Sequence, residues 1–250
     1  GFVVEDITPP VANCQNITVY LDGTGNVSIV AADVDGGSTD NVGITSMTIN
    51  NSDYNCSDIG VNVTTLTVTD AVGLNDQCNA AVIVEDTISP TAVCQNITVY
   101  LDGTGNTTWT AADLDGGSSD NCTTISLSAD MTSATCANVG TNNVTLTVTD
   151  GSGNTNNCTS TVTVMDTISP TAVCQNLPVF LDGTGNATIT GSDLDNGSSD
   201  NCSGALTYSA DITAFTCANT GANTVTLTVT DLGGNTSNCT SNVTVMDTVS

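Results

Sequence analysis

The sequence predicts an all-β protein made of tandem two-sheet sandwiches of about 80 residues each. Three observations carry this. The segment CQNITVYLDGTGN stands at 14–26 and recurs unchanged at 94–106, and CQNLPVFLDGTGN stands at 174–186. Between these markers, apolar residues alternate with Thr and Ser at the period of a half-buried strand. Gly, Asp and Asn cluster between the alternating runs, where tight turns need them. No segment has a persuasive helical period.

The repeat boundaries follow from markers that keep step. Asp6, Asp86, Asp166 and Asp247 each open a linker, and the first three linkers run to Pro9, Pro90 and Pro170. This gives repeats at 6–85, 86–165 and 166–246. GFVVED at the start matches AVIVED at 81–86. Residues 1–5 are therefore read as the last strand of a preceding repeat, and 247–250 as a linker to a following one.

Within the second repeat, Ile97, Val99 and Leu101 alternate with Thr98 and Tyr100, and DGTG then turns the chain. Thr107, Trp109 and Ala111 share the next face, with Trp109 aligned to Ile29 and Ile189. Val144, Leu146 and Val148 point inward along the clearest strand, and Val162 and Val164 mark the last. Val and Thr suit such half-buried pleated surfaces. Pro178 replaces Thr18 and Thr98, which fits an edge strand whose N–H side faces solvent. Six or seven strands per repeat make a small sandwich.

Charge excludes much. The chain has 250 residues, 26 Asp and Glu, and no Lys, Arg or His. Nothing can neutralise phosphates, so nucleic acid is excluded as a partner. Ser-His and Cys-His nucleophile systems have no base, and His-ligated zinc has no ligand. No side-chain salt bridge can form. No apolar run approaches the ~18 residues of a membrane span, so no membrane insertion is expected. Eleven Cys without a CxxC pair point to disulfides, hence to an oxidising, extracellular or cell-surface location.

The ordered markers are a D-x-x-x-P linker, AVCQNITV, DGGSSDNC, TCANVG, TVTLTVTD-x-x-GN-x-x-x-C and TVTVMD. This order resembles the hyalin repeat (HYR) module, most closely the repeat arrays of large surface adhesins of gliding, type IX-secreting bacteria. The resemblance implies an immunoglobulin-like extracellular module serving as a stalk or adhesive spacer, without catalysis. Repeat one departs from it at Val42, where the others have Cys122 and Cys202.

Four Cys in a repeat allow three connectivities. In an immunoglobulin-like sandwich the first and last strands start side by side. That places Cys14 with Cys78, Cys94 with Cys158 and Cys174 with Cys239. A strand–turn–strand stretch between the other two pairs Cys122 with Cys136 and Cys202 with Cys217. Cys56, whose mate is replaced by Val42, is left as the free thiol.

The acids are grouped. Asp33, Asp35 and Asp40 follow the second strand of repeat one; Asp113, Asp115 and Asp120, then Asp193, Asp195 and Asp200, repeat the pattern. Asp70, Asp150 and Asp231 end the long strand, and Asp6, Asp86 and Asp166 open the linkers. In an immunoglobulin-like module these segments meet at one pole. So many hard oxygen ligands without a cation suit structural Ca²⁺. The competing reading is Asp as turn and cap residues on a solvated surface.

Thr87, Thr167 and Thr248 stand in Asp-Thr-aliphatic segments similar to a bacterial O-glycosylation motif, and Asn16, Asn96, Asn106, Asn143 and Asn186 stand in Asn-x-Ser/Thr sequons. The function expected is a non-enzymatic extracellular array forming a stalk, fibre or adhesin shaft, disulfide-stabilised and calcium-rigidified. Its partners are the neighbouring repeats and other copies in a fibre. The alternative is a binding module whose loops recognise a surface glycan or protein.

Overall fold

The computed structural model describes residues 5–122, 124–202, 204 and 206–247. Thr248 and, apart from Glu5, the strand expected at 1–5 lie outside the described residues. Repeat one holds β1 (Ile17–Tyr20), β2 (Asn26–Ser28), β3 (Ile44–Ile49), β4 (Asp53–Asn55), β5 (Gly60–Asp70) and β6 (Asn75–Glu85). The same six follow as β7 (Ile97–Tyr100), β8 (Asn106–Thr108), β9 (Ile125–Ala129), β10 (Ser133–Thr135), β11 (Gly140–Asp150) and β12 (Thr155–Met165). Repeat three supplies β13 (Leu177–Phe180), β14 (Asn186–Thr188), β15 (Thr207–Ala210), β16 (Ala214–Thr216), β17 (Gly221–Thr230) and β18 (Thr236–Met246).

Each repeat forms a four-stranded sheet, ordered β1-β6-β5-β3 in the first, and a two-stranded one, β2-β4. The first strand runs parallel to the last, with Ile17 opposite Val82 and Val19 opposite Val84. The remaining strand pairs of repeat one are antiparallel. Pro178 lies on β13, an edge strand, as its missing N–H requires. The fold class is the all-β sandwich expected.

The period-two pattern decides what is buried. Along β5, Leu66 and Val68 are fully buried and Thr67 and Thr69 are half-exposed. Leu21, Ile29, Val34, Tyr54, Ala80, Val82 and Val84 complete the first core. Leu181, Ile189, Leu194, Phe215, Leu227 and Val243 are among the matching set in repeat three. Burying each Val or Leu contributes about 1.5–3 kcal/mol.

The repeats also vary together. Tyr54 is buried with its hydroxyl hydrogen-bonded to buried Thr64. Repeat three carries Phe215 and Val225 at these positions, and repeat two Ala134 and Val144. A buried hydroxyl needs a partner, so the hydroxyl pair is present or absent as a pair. The large Trp109 occurs in the repeat with the small Ala134, which keeps core volume near constant.

Cys14 bonds Cys78 and Cys174 bonds Cys239, as expected from the first–last strand geometry. Cys94 and Cys158 are also in disulfides. The remaining expectations are corrected. Cys56 is not free: it bonds Cys122. Cys136 bonds Cys202, so neither Cys122–Cys136 nor Cys202–Cys217 forms. The free cysteine is Cys217, which is exposed. The error lies in the assumed hairpin. In repeat one β3 pairs with β5 while β4 pairs with β2, so the chain changes sheets between them. In repeat two the cysteines flanking the equivalent crossover, Cys122 and Cys136, are not bonded to each other; the first bonds repeat one and the second repeat three.

Candidate metal centre

Two compact units divide the chain. One gathers the chain up to Val93 with Gly116–Ser128 and Thr147–Cys158; the other gathers Cys94–Asp115, Ala129–Leu146 and the chain from Thr159 on. Each unit thus contains one boundary between repeats.

In the first unit, the turn at Asp22–Asn26 presents Gly25 to the next repeat. Asp22 Oδ1 accepts from the Thr24 amide and hydroxyl at 2.8 and 2.6 Å and from the Asn26 amide at 3.1 Å. Gly25 has φ +75°, and a Cβ there would lie 2.6 Å from Cys56 Sγ and 2.9 Å from the Asn121 carbonyl oxygen. Only glycine permits this approach. Asn121 Nδ2 donates to the Asp22 carbonyl at 3.2 Å, and Cys122 closes the disulfide to Cys56. The second unit repeats the arrangement with Gly105, Cys136, Asn201, Asp102 and Cys202.

Beside each cross-repeat disulfide lies a group of acids, and a third group lies in repeat one. The ligand-capable atoms of Asp86, Asp120 and Cys122 lie within 4.8 Å of one another, as do those of Asp166, Asp200 and Cys202 and those of Asp6, Asp40 and Asp70. The sulfurs are committed to disulfides, which leaves the oxygens. Asp86 Oδ1 accepts from the Ile88 amide at 3.1 Å and Asn121 Nδ2 at 3.3 Å. Asp120 Oδ2 accepts from the Cys122 amide at 2.9 Å. Asp86 Oδ2, Asp120 Oδ1 and Asn121 Oδ1 are all buried without a hydrogen-bond partner. Asp166 Oδ2, Asp200 Oδ1 and Asn201 Oδ1 repeat this set. The Asn121 orientation is fixed by its neighbours: the Asp22 carbonyl and the Asp86 carboxylate only accept, so the NH₂ must face them.

The group in repeat one differs at two positions, with Val42 in place of Cys122 and Cys202 and Leu74 in place of Asn154 and Asn235. Asp150 Oδ2 and Asp231 Oδ2 accept from Asn154 and Asn235 at 2.8 and 2.9 Å. Leu74 takes that position in repeat one, so Asp70 Oδ2, on a residue only 3% exposed, has no partner and joins Asp6 and Asp40. The Gly43 and Val42 amides hold the Asp40 carboxyl below the usual carboxylate range.

Other expected ligands serve as turn acceptors. Asp33, Asp113 and Asp193 accept from the amides of Val30, Thr110 and Thr190 at 2.7 Å, capping single helical turns. Asp35 and Asp195 accept from Ser38 and Ser198, and Asp115 is bridged to Cys94 through the backbone. Asn121 and Asn201 were missed as site residues. The Asp-Asn pair that recurs at 40, 120 and 200 was the available signal.

Two charged carboxylates with oxygens within 4.8 Å of one another repel by at least about 3–4 kcal/mol at an effective dielectric near 20. Unpartnered buried anionic oxygens cost further stability. A hard divalent cation removes both penalties, and the donor set is all oxygen, which fits Ca²⁺ rather than zinc.

The HYR domain family matches residues 85–164. No curated protein sequence matches the chain. Among solved structures, the I-band fragment I67–I69 of titin is similar over 96% of this chain and 100% of that one, at 10% identity and TM-score 0.45. Mouse cadherin-23 EC22–24 is similar over 96% and 99%, at 12% identity and TM-score 0.38. The protocadherin GammaB4 extracellular domain is similar over 97% of this chain, which spans half of that one, at 15% identity and TM-score 0.37.

Proposed function

We propose that all three repeats are HYR modules and that the chain is part of a non-enzymatic extracellular array, a stalk, fibre or adhesin shaft, whose repeat boundaries are locked by disulfides and by Ca²⁺. The observation that carries this reading is the pairing, at both boundaries, of a cross-repeat disulfide with buried carboxylate oxygens that lack partners. A covalent bond between successive repeats restricts bending, and mechanical continuity is what a shaft needs. The absence of His from the sequence removes the commonest general base. The setting in a surface adhesin of gliding bacteria rests on the order of sequence markers.

Ca²⁺ would be held by Asp86, Asp120 and Asn121 at one boundary, by Asp166, Asp200 and Asn201 at the other, and by Asp6, Asp40 and Asp70 in repeat one. The remaining ligands are water and backbone oxygen. Thr87 and Thr167 are exposed, as are Asn16, Asn96, Asn106, Asn143 and Asn186, so each is accessible for glycosylation.

Calorimetric titration of the full chain with Ca²⁺, alongside melting in EGTA and in millimolar Ca²⁺, tests the reading. Extracellular modules bind near 10⁻⁴–10⁻³ M, which gives about 0.4–1.4 kcal/mol per site at 1 mM. Asp120→Asn should weaken one boundary site and leave that of Asp166 and Asp200 intact. Identical melting in both solutions and no binding heat would refute the calcium part. Unchanged bridging of Cys56 and Cys136 in that case would leave the shaft part standing.

A further inference from the structure

The exposed Cys217 sits in a half-built joint. In the two complete joints, Cys56 and Cys136 each lie against the glycine of an Asp-Gly-Thr-Gly-Asn turn, with Sγ 3.6 Å from the Gly25 and Gly105 carbonyl oxygens. Cys217 Sγ lies 3.7 Å from the Gly185 carbonyl oxygen in the corresponding turn. Gly185 keeps the left-handed φ of +77°, close to +75° and +74° at Gly25 and Gly105. Asp182 organises its turn as Asp22 does, accepting from the Thr184 amide and hydroxyl at 2.8 and 2.7 Å. One contact differs. A Cβ on Gly25 or Gly105 would strike both the local sulfur and an Asn carbonyl of the next repeat, whereas one on Gly185 would strike only Cys217 Sγ, at 2.7 Å.

We propose that Cys217, Gly185 and the Asp182 carbonyl form the receiving half of a covalent joint, and that its occupant is the Asp-Asn-Cys turn of a further module of this type. The chemistry of the occupant is read from the two filled joints: an Asn amide donating to the turn carbonyl and a Cys closing the disulfide, as Asn121 with Cys122 and Asn201 with Cys202 do. The first repeat of another copy does not qualify, because it carries Asp40-Asn41-Val42. The joint therefore selects among modules of one family by a single side chain. Closure is thiol–disulfide exchange with a small-molecule disulfide such as oxidised glutathione. The Cys217 thiolate displaces one glutathione thiolate to form a mixed disulfide. The incoming Cys thiolate then attacks the Cys217 sulfur and releases the second glutathione, so two thiols are oxidised and one glutathione disulfide is reduced.

The test extends the full chain after Ser250 with a second copy of residues 90–165, which restores the 66-residue spacing of the two existing bridges. After refolding in a glutathione redox buffer, free thiols are labelled with maleimide and mapped. The label should move from Cys217 to the appended copy's Cys136, and Cys217 should be found bonded to the appended Cys122. Changing that appended Cys122 to Val should return the label to Cys217. Label remaining on Cys217 with the appended Cys122 intact, or Cys217 found in chain-to-chain pairs, would overturn the proposal. A second measurement needs no added module. In the V42C variant at high concentration, links between the introduced thiol of one chain and Cys217 of another should predominate, giving head-to-tail oligomers. A statistical mixture, in which introduced thiols also pair with each other and Cys217 with Cys217, would count against it equally.

Discussion

Leu74→Asn should stabilise the calcium-free protein while reducing what calcium adds. In repeats two and three, Asn154 and Asn235 donate to the second oxygen of Asp150 and Asp231 at 2.8 and 2.9 Å. In repeat one the equivalent oxygen, Asp70 Oδ2, is buried and unpartnered because the Leu74 side chain has no donor and its amide serves Oδ1. A hydrogen bond to a charged group contributes about 1.5–3 kcal/mol. Leu74 is half-buried, and losing its apolar packing costs about 1 kcal/mol. The net gain is about 0.5–2 kcal/mol. Hydrogen exchange read by mass spectrometry isolates repeat one from the rest of the chain. In EGTA, protected amides of β5 and β6 that exchange through unfolding should slow about 2- to 30-fold in the variant. Added Ca²⁺ should protect the wild-type repeat more than the variant, because Asp70 Oδ2 is then no longer an open ligand. Equal or faster exchange of the variant in EGTA would refute the reasoning, since it would mean that the orphan oxygen carries no penalty.

Three other outcomes are expected. Thr64→Val strands the buried Tyr54 hydroxyl and should cost about 1–3 kcal/mol in denaturant unfolding, whereas Tyr54→Phe with Thr64→Val recreates the Phe215–Val225 pair of repeat three and should lie near neutral. Gly25→Ala or Gly105→Ala should leave the cross-repeat cysteines partly reduced in a maleimide assay, because the new Cβ falls 2.5–2.6 Å from the sulfur and 2.9 Å from backbone oxygen. The amides and then the hydroxyls of Thr110 and Thr190 hold the Asp113 and Asp193 carboxyls below their ordinary value of 3.8. Their stabilisation is present above that pH and is lost as pH falls through the lower folded value; the stability gap between wild type and Asp113→Asn/Asp193→Asn should therefore close in acid.

The parts of the fold that depend on one repeat were legible, and the parts that depend on two were not. Alternation placed Val144, Leu146 and Val148 inside, and all three are fully buried, because side-chain period is a local property of a strand. The adjacency of first and last strands in an immunoglobulin-like sandwich led to Cys14–Cys78 and Cys174–Cys239, because that topology is complete within one repeat. The pairing of Cys56 and Cys136 failed because a repeat was taken as closed. Val42 then looked like the loss of a partner for Cys56 inside repeat one, whereas the equivalent residues Cys122 and Cys202 bond cysteines of the preceding repeat. Spacing could not decide between pairing within a repeat and pairing across repeats: the cross-repeat bridges are 66 residues apart in both cases, but in a periodic chain every pairing of equivalent positions is regular. The acids divide by the same logic. Asp33, Asp113 and Asp193 accept from amides three residues back, so a local reading of Asp as a cap is sufficient for them. Asp86 and Asp120 are brought together from a linker and a turn, and each keeps one oxygen for the backbone and one for the shared space. Composition makes that shared space hard to leave empty of a cation. With no Lys, Arg or His anywhere in the chain, a counter-charge for these carboxylates can come only from solution, and two of the three acid groups that could hold a cation lie beside the disulfides that join successive repeats.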